Sequence, residues 1–228
     1  MSSTGAAPYP DIDAALDALP GSLVCRSGSI FYTGRAAFSA PSKLYILGLN
    51  PGGDPAAQAT ETVGASRSKF RDGSASWSEY ADVSWRGSRP GAWGMQPRVL
   101  HMFASLGLDP RSVPASNVVF ARTSTEAILR NEKADLLQAC WPVHHAVIEA
   151  LAVRVVLCFG GTAGRWVRDE LDAQERVDSY RETNERRWIS EAHRAGDGRI
   201  VVTLTHPGRA NWCNAHSDPT PLVQRVLA

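Results

Sequence analysis

The sequence predicts an α/β fold: a three-layer α/β/α sandwich around a central, mainly parallel sheet. A single domain is expected over residues 1–228, with residues 1–10 as a loose terminus. Three observations predict this fold. Short, continuous apolar runs are typical of strands buried in a parallel sheet. Longer segments with apolar residues three or four positions apart are typical of amphipathic helices. The two kinds of segment alternate along the chain, which places helices on both faces of the sheet.

Four buried strands follow from the apolar runs, and the clearest is LYIL, which Gly48 ends. The strands cover residues 44–47, 117–120, 153–159 and 199–205. The charged segment 172–198 is predicted to be a surface excursion that holds one short strand around Trp188.

Helices are predicted where the apolar spacing is helical and where proline or glycine marks an end. They cover residues 11–19, 97–106, 134–151, 163–171 and 221–227, with a kink expected at Pro142. Residues 51–95 are rich in glycine, serine and proline and show little periodicity. A stretch of that length inside a compact domain predicts a functional loop region.

Composition and charge exclude several classes of protein. Hydrophobic residues make up 43% and charged residues 21%, which is typical of a globular chain and not of a disordered one. A net charge of +1 argues against a protein that coats nucleic acid non-specifically, whereas an enzyme that grips a few nucleotides needs only a local basic patch. No signal-peptide pattern and no apolar run long enough for a bilayer is present. The sequence therefore predicts a soluble, cytoplasmic protein with no membrane contact.

The cysteines predict neither a metal site nor a disulfide framework. They form no CxxC pair and have no zinc-type spacing to histidine. Buried or reduced free thiols are expected, with no metal and no cofactor. The four are Cys25, Cys140, Cys158 and Cys213.

Two strand ends carry polar residues that point to chemistry. The first strand runs into GLNPGGDP at 48–55, and the fourth runs into THPGRANW at 205–212. In open α/β sheets, ligands bind beyond the carboxyl ends of the strands. Each segment has a polar residue, then proline, then glycine, and glycine lets the backbone approach a ligand closely. Taken singly, Asn50 can be a turn cap and His206 a hydrogen-bonded histidine at a strand end. Their matching positions favour one shared site.

Four segments, in order, resemble the uracil-DNA glycosylase superfamily from about residue 25 to the C-terminus. GLNPGGDP is similar to its first motif, closest to the GxNPG form of the mismatch-specific and single-strand-selective monofunctional branches. THPGRANW is similar to the second motif, the His-Pro loop that enters the DNA. SNVVFARTS at 116–124 resembles the strand whose asparagine binds uracil. ACWPVHHAVIEALAVRVVLCFGG at 139–161 resembles a helix-strand-glycine unit of the iron–sulfur branch.

The resemblance implies a monofunctional DNA glycosylase that acts in base-excision repair. Such an enzyme hydrolyses the N-glycosidic bond of uracil, or of a related deaminated or damaged base, once the base is flipped out of DNA. Asn50 would position the attacking water. His206 would donate a hydrogen bond to the base oxygen on which charge develops. Asn117 would present its amide to the Watson–Crick edge of the base.

Other residues would complete the base pocket and the DNA surface. The base-binding residues implied are Leu49, Pro51, Gly52, Asn117 and, as the stacking aromatic, Trp93. Phe70 and Trp77 are weaker stacking candidates, for which a place in the core is the better expectation. The DNA-binding residues implied are Gly160, Pro207, Gly208, Arg209 and Asn211, with Arg209 as a wedge or as a phosphate contact. A local positive surface is expected from Lys69, Arg71, Arg86, Arg89 and Arg98, although each singly has the pattern of a solvated side chain.

The sequence departs from the superfamily pattern at three places. Only Cys140 and Cys25 fall at places comparable to the cluster cysteines of the iron–sulfur branch, and Arg122 lies near another. Because two thiolates cannot hold a four-cysteine cluster, no iron–sulfur cluster is predicted. Gly52 stands where the strictest uracil enzymes carry a bulky tyrosine, so a broader range of bases is expected. The second motif is one position shorter before its basic residue, which weakens the wedge role of Arg209.

Two alternatives remain open at this point. One is an inactive relative that binds nucleic acid or a nucleotide without cleaving it, since a fold does not fix a function. The other is an unrelated hydrolase on a similar sheet. The sequence has no G-x-S-x-G elbow, no Walker motif and no G-x-G-x-x-G opening a helix, which makes this second alternative the weaker. For the glycosylase that the resemblance implies, a monomer is expected.

Overall fold

The sheet at the centre of the fold has six strands. A computed structural model of the protein describes residues 10–228, so the expected loose terminus lies outside the described residues except for Pro10. The strand order is β2-β1-β3-β6-β5-β4. Strands β2, β1, β3 and β6 are parallel, and β5 and β4 are antiparallel additions. The strands are β1 (Leu44–Gly48), β2 (Ala115–Asn117), β3 (Val155–Phe159), β4 (Glu175–Arg181), β5 (Ile189–Arg194) and β6 (Ile200–Leu204).

Helices cover the sheet, and all five predicted ones are present. Helix α4 begins at Gln96 and has Pro97 in its first turn, where a missing N–H costs nothing. The predicted helix around Pro142 runs through that proline without a break. The helices are α1 (Pro10–Asp17), α2 (Gly21–Val24), α3 (Val63–Asp72), α4 (Gln96–Leu106), α5 (Glu126–Leu129), α6 (Lys133–Ala150), α7 (Gly161–Glu170) and α8 (Thr220–Leu227). No helix within residues 10–228 is both long and apolar enough to cross a bilayer.

Side chains of the central strands alternate between two apolar layers. In β1, Tyr45 and Leu47 pack with residues of α1, α6 and α7. Leu44 and Ile46 pack on the opposite face with residues of α4 and α8. Because both faces are buried, the strand is an unbroken apolar run, as the sequence indicated. The three-layer α/β/α architecture and the mainly parallel sheet are confirmed.

Three predicted segments differ from the structure. The surface excursion at 172–198 is instead a β4–β5 hairpin that extends the sheet, and Trp188 immediately precedes β5. The loop region 51–95 contains a helix, α3, capped where the Thr62 hydroxyl accepts a hydrogen bond from the Ala65 N–H. The strand predicted at 117–120 is shifted towards the N-terminus and ends at Asn117. Asn117 consequently stands at a strand exit.

His144 is a buried histidine between the sheet and α6. Its Nε2 lies 3.2 Å from the Val118 carbonyl oxygen and its Nδ1 lies 2.8 Å from the Tyr45 hydroxyl. Because a carbonyl only accepts, Nε2 carries the proton and Nδ1 accepts from Tyr45. Burial lowers the pKa of His144 to about 4, so this ring is neutral at pH 7.

We expect His144 to make the protein less stable as the pH falls from about 6.5 to about 4. Above pH 6.5 the ring is neutral in both states. Below it, the unfolded chain binds a proton that the folded chain does not, so the free energy of unfolding decreases until the folded ring is protonated. The loss amounts to ~3 kcal/mol across this range. Urea unfolding of the native protein and His144→Gln at several pH values measures it. Equal pH dependence in the two proteins would contradict the assignment.

The parallel strands bring the polar strand exits to one edge of the sheet. Leu49 and Asn50 follow β1, Asn117 ends β2, Gly160 follows β3, and His206 lies just beyond β6. The register pairs Gly48 with Asn117, and β3 pairs with β1 on one side and β6 on the other. The topology alone thus places these residues together.

Candidate active site

A cleft of about 1610 Å³ opens at this edge of the sheet. It exceeds the roughly 300–1,000 Å³ of most small-molecule pockets, which suits a larger ligand. Most of the predicted site residues line it: Leu49, Asn50, Gly52, Trp93, Asn117, Gly160, His206 and Arg209.

The remaining four predicted residues lie beside the cleft and shape its turns. Pro51 and Pro207 are buried, and their carbonyl oxygens accept hydrogen bonds from the Thr123 N–H and from the Arg98 guanidinium. Gly208 and Asn211 are exposed on the second-motif loop.

Asn50 is oriented by the two hydrogen bonds of its amide nitrogen. Nδ2 donates to the Thr123 hydroxyl at 2.9 Å and to the Pro51 carbonyl at 3.0 Å. The Thr123 hydroxyl donates in turn to the Thr125 carbonyl at 3.1 Å, so towards Asn50 it acts as an acceptor. Both amide hydrogens are therefore used, and Oδ1 is the atom left to accept a hydrogen bond from a molecule in the cleft.

His206 is held in one tautomer by its own loop. The Gly208 N–H donates to Nδ1 at 2.9 Å, so in the neutral ring the proton resides on Nε2. Burial lowers the pKa of His206, and the positive charge of Arg209 lowers it further, against an opposing effect of Glu126. At pH 7 the side chain is therefore a neutral imidazole with an Nε2–H donor.

Gly160 forms the turn between β3 and α7, next to His206. Its φ of +95° lies in a region that favours glycine. A Cβ at this position would lie 3.5 Å from the Cβ and Cδ2 atoms of His206. That distance is an ordinary contact, so the backbone conformation and not a lack of space explains the glycine, which lies beside the imidazole on one wall of the cleft.

Asn117 places a buried amide side chain at the cleft. Its side chain is 5% exposed, and Nδ2 has no hydrogen-bond partner among the described residues. Leaving such a donor unpaired costs about 1–3 kcal/mol, a cost that a ligand with an acceptor oxygen removes. Gly48 makes room for this side chain, because a Cβ there would come within 2.2 Å of Asn117 Oδ1.

A family model of the uracil DNA glycosylase superfamily matches residues 36–226. The chain belongs to this superfamily. The match includes both polar strand exits and Asn117, so the predicted resemblance is confirmed at the level of the superfamily. No curated protein sequence matches the chain. Membership supports a function of the DNA glycosylase type, with DNA as the partner.

Three aromatic residues were candidates for stacking on a base in this glycosylase-type cleft. Trp93 is 45% exposed and lines the cleft. Phe70 is buried against Phe31 and Phe38 and belongs to the core, as expected. Trp77 also lines the cleft, where the Lys69 ammonium lies 4.1 Å from its ring centroid, so the expectation that Trp77 is a core residue was wrong.

Sequence reasoning missed a polar and aromatic group on the cleft wall. Tyr32, Glu79 and Trp85 line the cleft, and Glu79 Oε1 accepts a hydrogen bond of 2.8 Å from Trp85 Nε1. Burial raises the pKa of the Glu79 carboxyl group. Burial also raises the pKa of the Tyr32 hydroxyl, and the Glu79 charge adds to this. The sequence signal that could have indicated this group is an acidic residue, Glu79, close to aromatic residues within 51–95. It lies outside all four motifs.

Some of the basic residues predicted to form a positive surface line the cleft, and others bind to other parts of the protein. Lys69 and Arg86 line the cleft, and Arg89 is exposed. Arg71 forms ion pairs with Asp13 and Asp17, and Arg98 donates to the Pro207 carbonyl. These last two arginines hold parts of the protein together. Arg165 on α7, which the sequence did not indicate, adds an exposed cation to the cleft.

The positions comparable to cluster cysteines in the iron–sulfur branch have other surroundings here. Cys140 Sγ accepts a hydrogen bond from the Phe120 N–H, and burial raises the pKa of Cys140 to about 12. Arg122 forms an ion pair of 2.9 Å with Glu61. Within residues 10–228, no three His, Cys, Asp or Glu side chains are grouped to hold a metal ion. The absence of a cluster, a metal and a cofactor stays a prediction.

Proposed function

We propose that the protein hydrolyses the N-glycosidic bond of uracil, or of a related deaminated or damaged base, in DNA. One observation supports this above all others. Asn50, Asn117 and His206 line the same cleft, and each keeps a hydrogen-bonding atom of the type that base excision needs.

The attacking water is bound by Asn50. Oδ1 accepts one O–H of the water, so a lone pair of the water oxygen can be directed at C1′ of the sugar. As the C1′–N bond breaks, its electron pair leaves with the base, and the water oxygen forms the new bond to C1′. An amide does not take up the proton, which passes to solvent or to the departing base. We therefore expect slower turnover than with a carboxylate at this position.

The departing base is stabilised by His206. Nε2–H donates to the carbonyl oxygen on which negative charge grows, which is the principle of an oxyanion hole. A neutral donor suffices for this, because the hydrogen bond strengthens as charge develops on its acceptor.

The base is selected by Asn117. Its Nδ2 donates to a carbonyl oxygen on the Watson–Crick edge, and its Oδ1 accepts from the adjacent ring N–H, a pattern that uracil offers and cytosine does not. At Gly52, no atom of the other described residues, apart from the two chain neighbours, lies within 4 Å of the place where a Cβ would be. With no side chain at this position, we propose that bases larger than uracil are also accepted.

Asn117→Asp is expected to change base preference. A carboxylate cannot donate to the uracil carbonyl, so we expect excision of uracil to fall about tenfold or more relative to the native protein. Single-turnover excision from matched uracil and cytosine oligonucleotides measures the ratio. Asn214→Asp is the control, because Asn214 is exposed and, within the described residues, its side chain forms one hydrogen bond, in which Oδ1 accepts from the His216 N–H. Unchanged selectivity in Asn117→Asp would remove Asn117 from this role.

The activity itself is tested with single- and double-stranded oligonucleotides that contain uracil, hypoxanthine, xanthine or ethenocytosine. Abasic sites are revealed by strand scission in alkali. The proposal predicts scission at one or more of these bases. Binding without abasic sites, even with enzyme in large excess, would instead favour an inactive relative that only binds nucleic acid.

A further inference from the structure

The β4–β5 hairpin is fixed to the second-motif loop. Arg186 donates to the Arg209 carbonyl at 2.8 Å, and the Thr205 N–H donates to the Ser190 hydroxyl at 3.0 Å. The Thr183 N–H donates at 2.9 Å to the carbonyl of His216, which follows this loop in the chain. The hairpin and the loop that carries His206 therefore form one surface.

The turn of the hairpin is held in place by a buried carboxylate. Glu182 is fully buried, forms an ion pair of 3.1 Å with Arg186 and accepts a hydrogen bond of 2.9 Å from Asn184. Arg187 has a φ of +53°, which non-glycine residues adopt only where the surrounding structure imposes it. Side chains that project from this turn are thus presented at defined positions.

The turn presents exposed apolar side chains to the cleft. Trp188 is 38% exposed and Ile189 is 41% exposed, and both line the same cleft as His206. Only four large hydrophobic side chains are exposed in the described part of the chain, and the other two are Trp93 and Ile128. Exposed apolar groups concentrated at a cleft mark a binding surface, whereas Ile128 lies outside the cleft.

The charges around Trp188 suit a nucleic-acid strand. The Arg186 guanidinium, whose charge is paired with Glu182, lies 4.3 Å from the Trp188 ring centroid, and the exposed Arg187 adds a positive charge beside it. An aromatic ring with guanidinium groups next to it offers stacking for a base and positive charge for its phosphates, which is how proteins bind single strands without sequence preference.

We infer that Trp188 is a second nucleobase-binding site, which stacks on an unpaired base next to the flipped nucleotide. The occupant is a base of the same DNA strand. The inference rests on the proposed function for its substrate. It adds a preference for single-stranded or locally opened DNA, because a base that is paired and stacked in a duplex cannot also stack on Trp188.

The test is the affinity for a fluorescently labelled single-stranded oligonucleotide without any damaged base, at one fixed salt concentration. Trp188→Ala is expected to weaken binding about tenfold, Trp188→Phe much less, and the control Ile128→Ala not at all. Binding to a fully paired duplex should change little in all three variants.

Native-like affinity of Trp188→Ala for the single strand would overturn the inference, as would equal losses in Trp188→Ala and Ile128→Ala. If Trp188→Ala melts early, quenching of tryptophan fluorescence by the oligonucleotide decides instead. Weaker quenching in Trp188→Phe than in the native protein supports stacking, and equal quenching refutes it. Because the oligonucleotide is undamaged, failure of the excision assay would not affect this result, and the two proposals can fail separately.

Discussion

Asn50→Ala is expected to lower the single-turnover rate of uracil excision by about 10²-fold or more while the fold persists. The substitution removes Oδ1, which we propose binds the attacking water, and leaves β1 and the sheet untouched. The affinity for uracil-containing DNA should change little, because the amide contacts the water and not the DNA backbone. The measurement is the rate of abasic-site formation with enzyme in excess, with the melting temperature as the check on folding.

Thr123→Val is the matched control for Asn50. It leaves the amide in place but removes the hydroxyl acceptor that orients it. We expect an excision rate between those of the native protein and Asn50→Ala, because Oδ1 can still bind the water, although in a less favourable position. If Asn50→Ala excises uracil at a near-native rate, Asn50 is not the residue that positions the water.

His206→Ala is expected to lower the excision rate by about 10²–10³-fold. The Nε2–H donor acts on charge that is absent from the bound substrate and develops in the transition state, so the loss should fall on the rate and not on DNA binding. His206→Gln supplies a shorter N–H donor and should retain more activity than alanine. A near-native rate in His206→Ala would contradict the assignment.

The pH dependence of the native rate separates a neutral imidazole from a charged one. Because the pKa of His206 is lowered, the ring is neutral throughout the range above about pH 6.5. The rate should therefore be level from about pH 6.5 to about pH 8. If the imidazolium were the active form, the rate would fall steadily as the pH rises through this range.

The site could be located from the sequence because parallel strands all end at the same edge of the sheet. Asn50 and His206 are far apart in the chain, yet each directly follows a buried apolar run. The carboxyl ends of parallel strands meet at one edge, so two strand exits with the same polar-Pro-Gly pattern indicated one cleft. The core strands were equally clear, since burial on both faces requires an unbroken apolar sequence.

The edge of the sheet and the far wall of the cleft were not predictable in the same way. Strand β4 is largely exposed and carries Glu175, Arg176 and Arg181, so its pattern resembles a solvated surface segment. Only Val63 and Phe70 are buried in helix α3. Two apolar positions are too few to show the spacing of an amphipathic helix. Glu79 stands out on the cleft wall because it is buried and because Trp85 donates a hydrogen bond to it. The sequence pattern indicates neither the burial nor this contact.

The most direct test of the shared cleft is a crystal structure with DNA that carries 2′-deoxypseudouridine, whose C-glycosidic bond is not hydrolysed. The account predicts that the base lies outside the helix, with a carbonyl oxygen within hydrogen-bonding distance of His206 Nε2. Asn117 should contact its edge, and Asn50 should hold a water near C1′. A base that remains stacked in the helix, or that binds outside this cleft, would contradict the account.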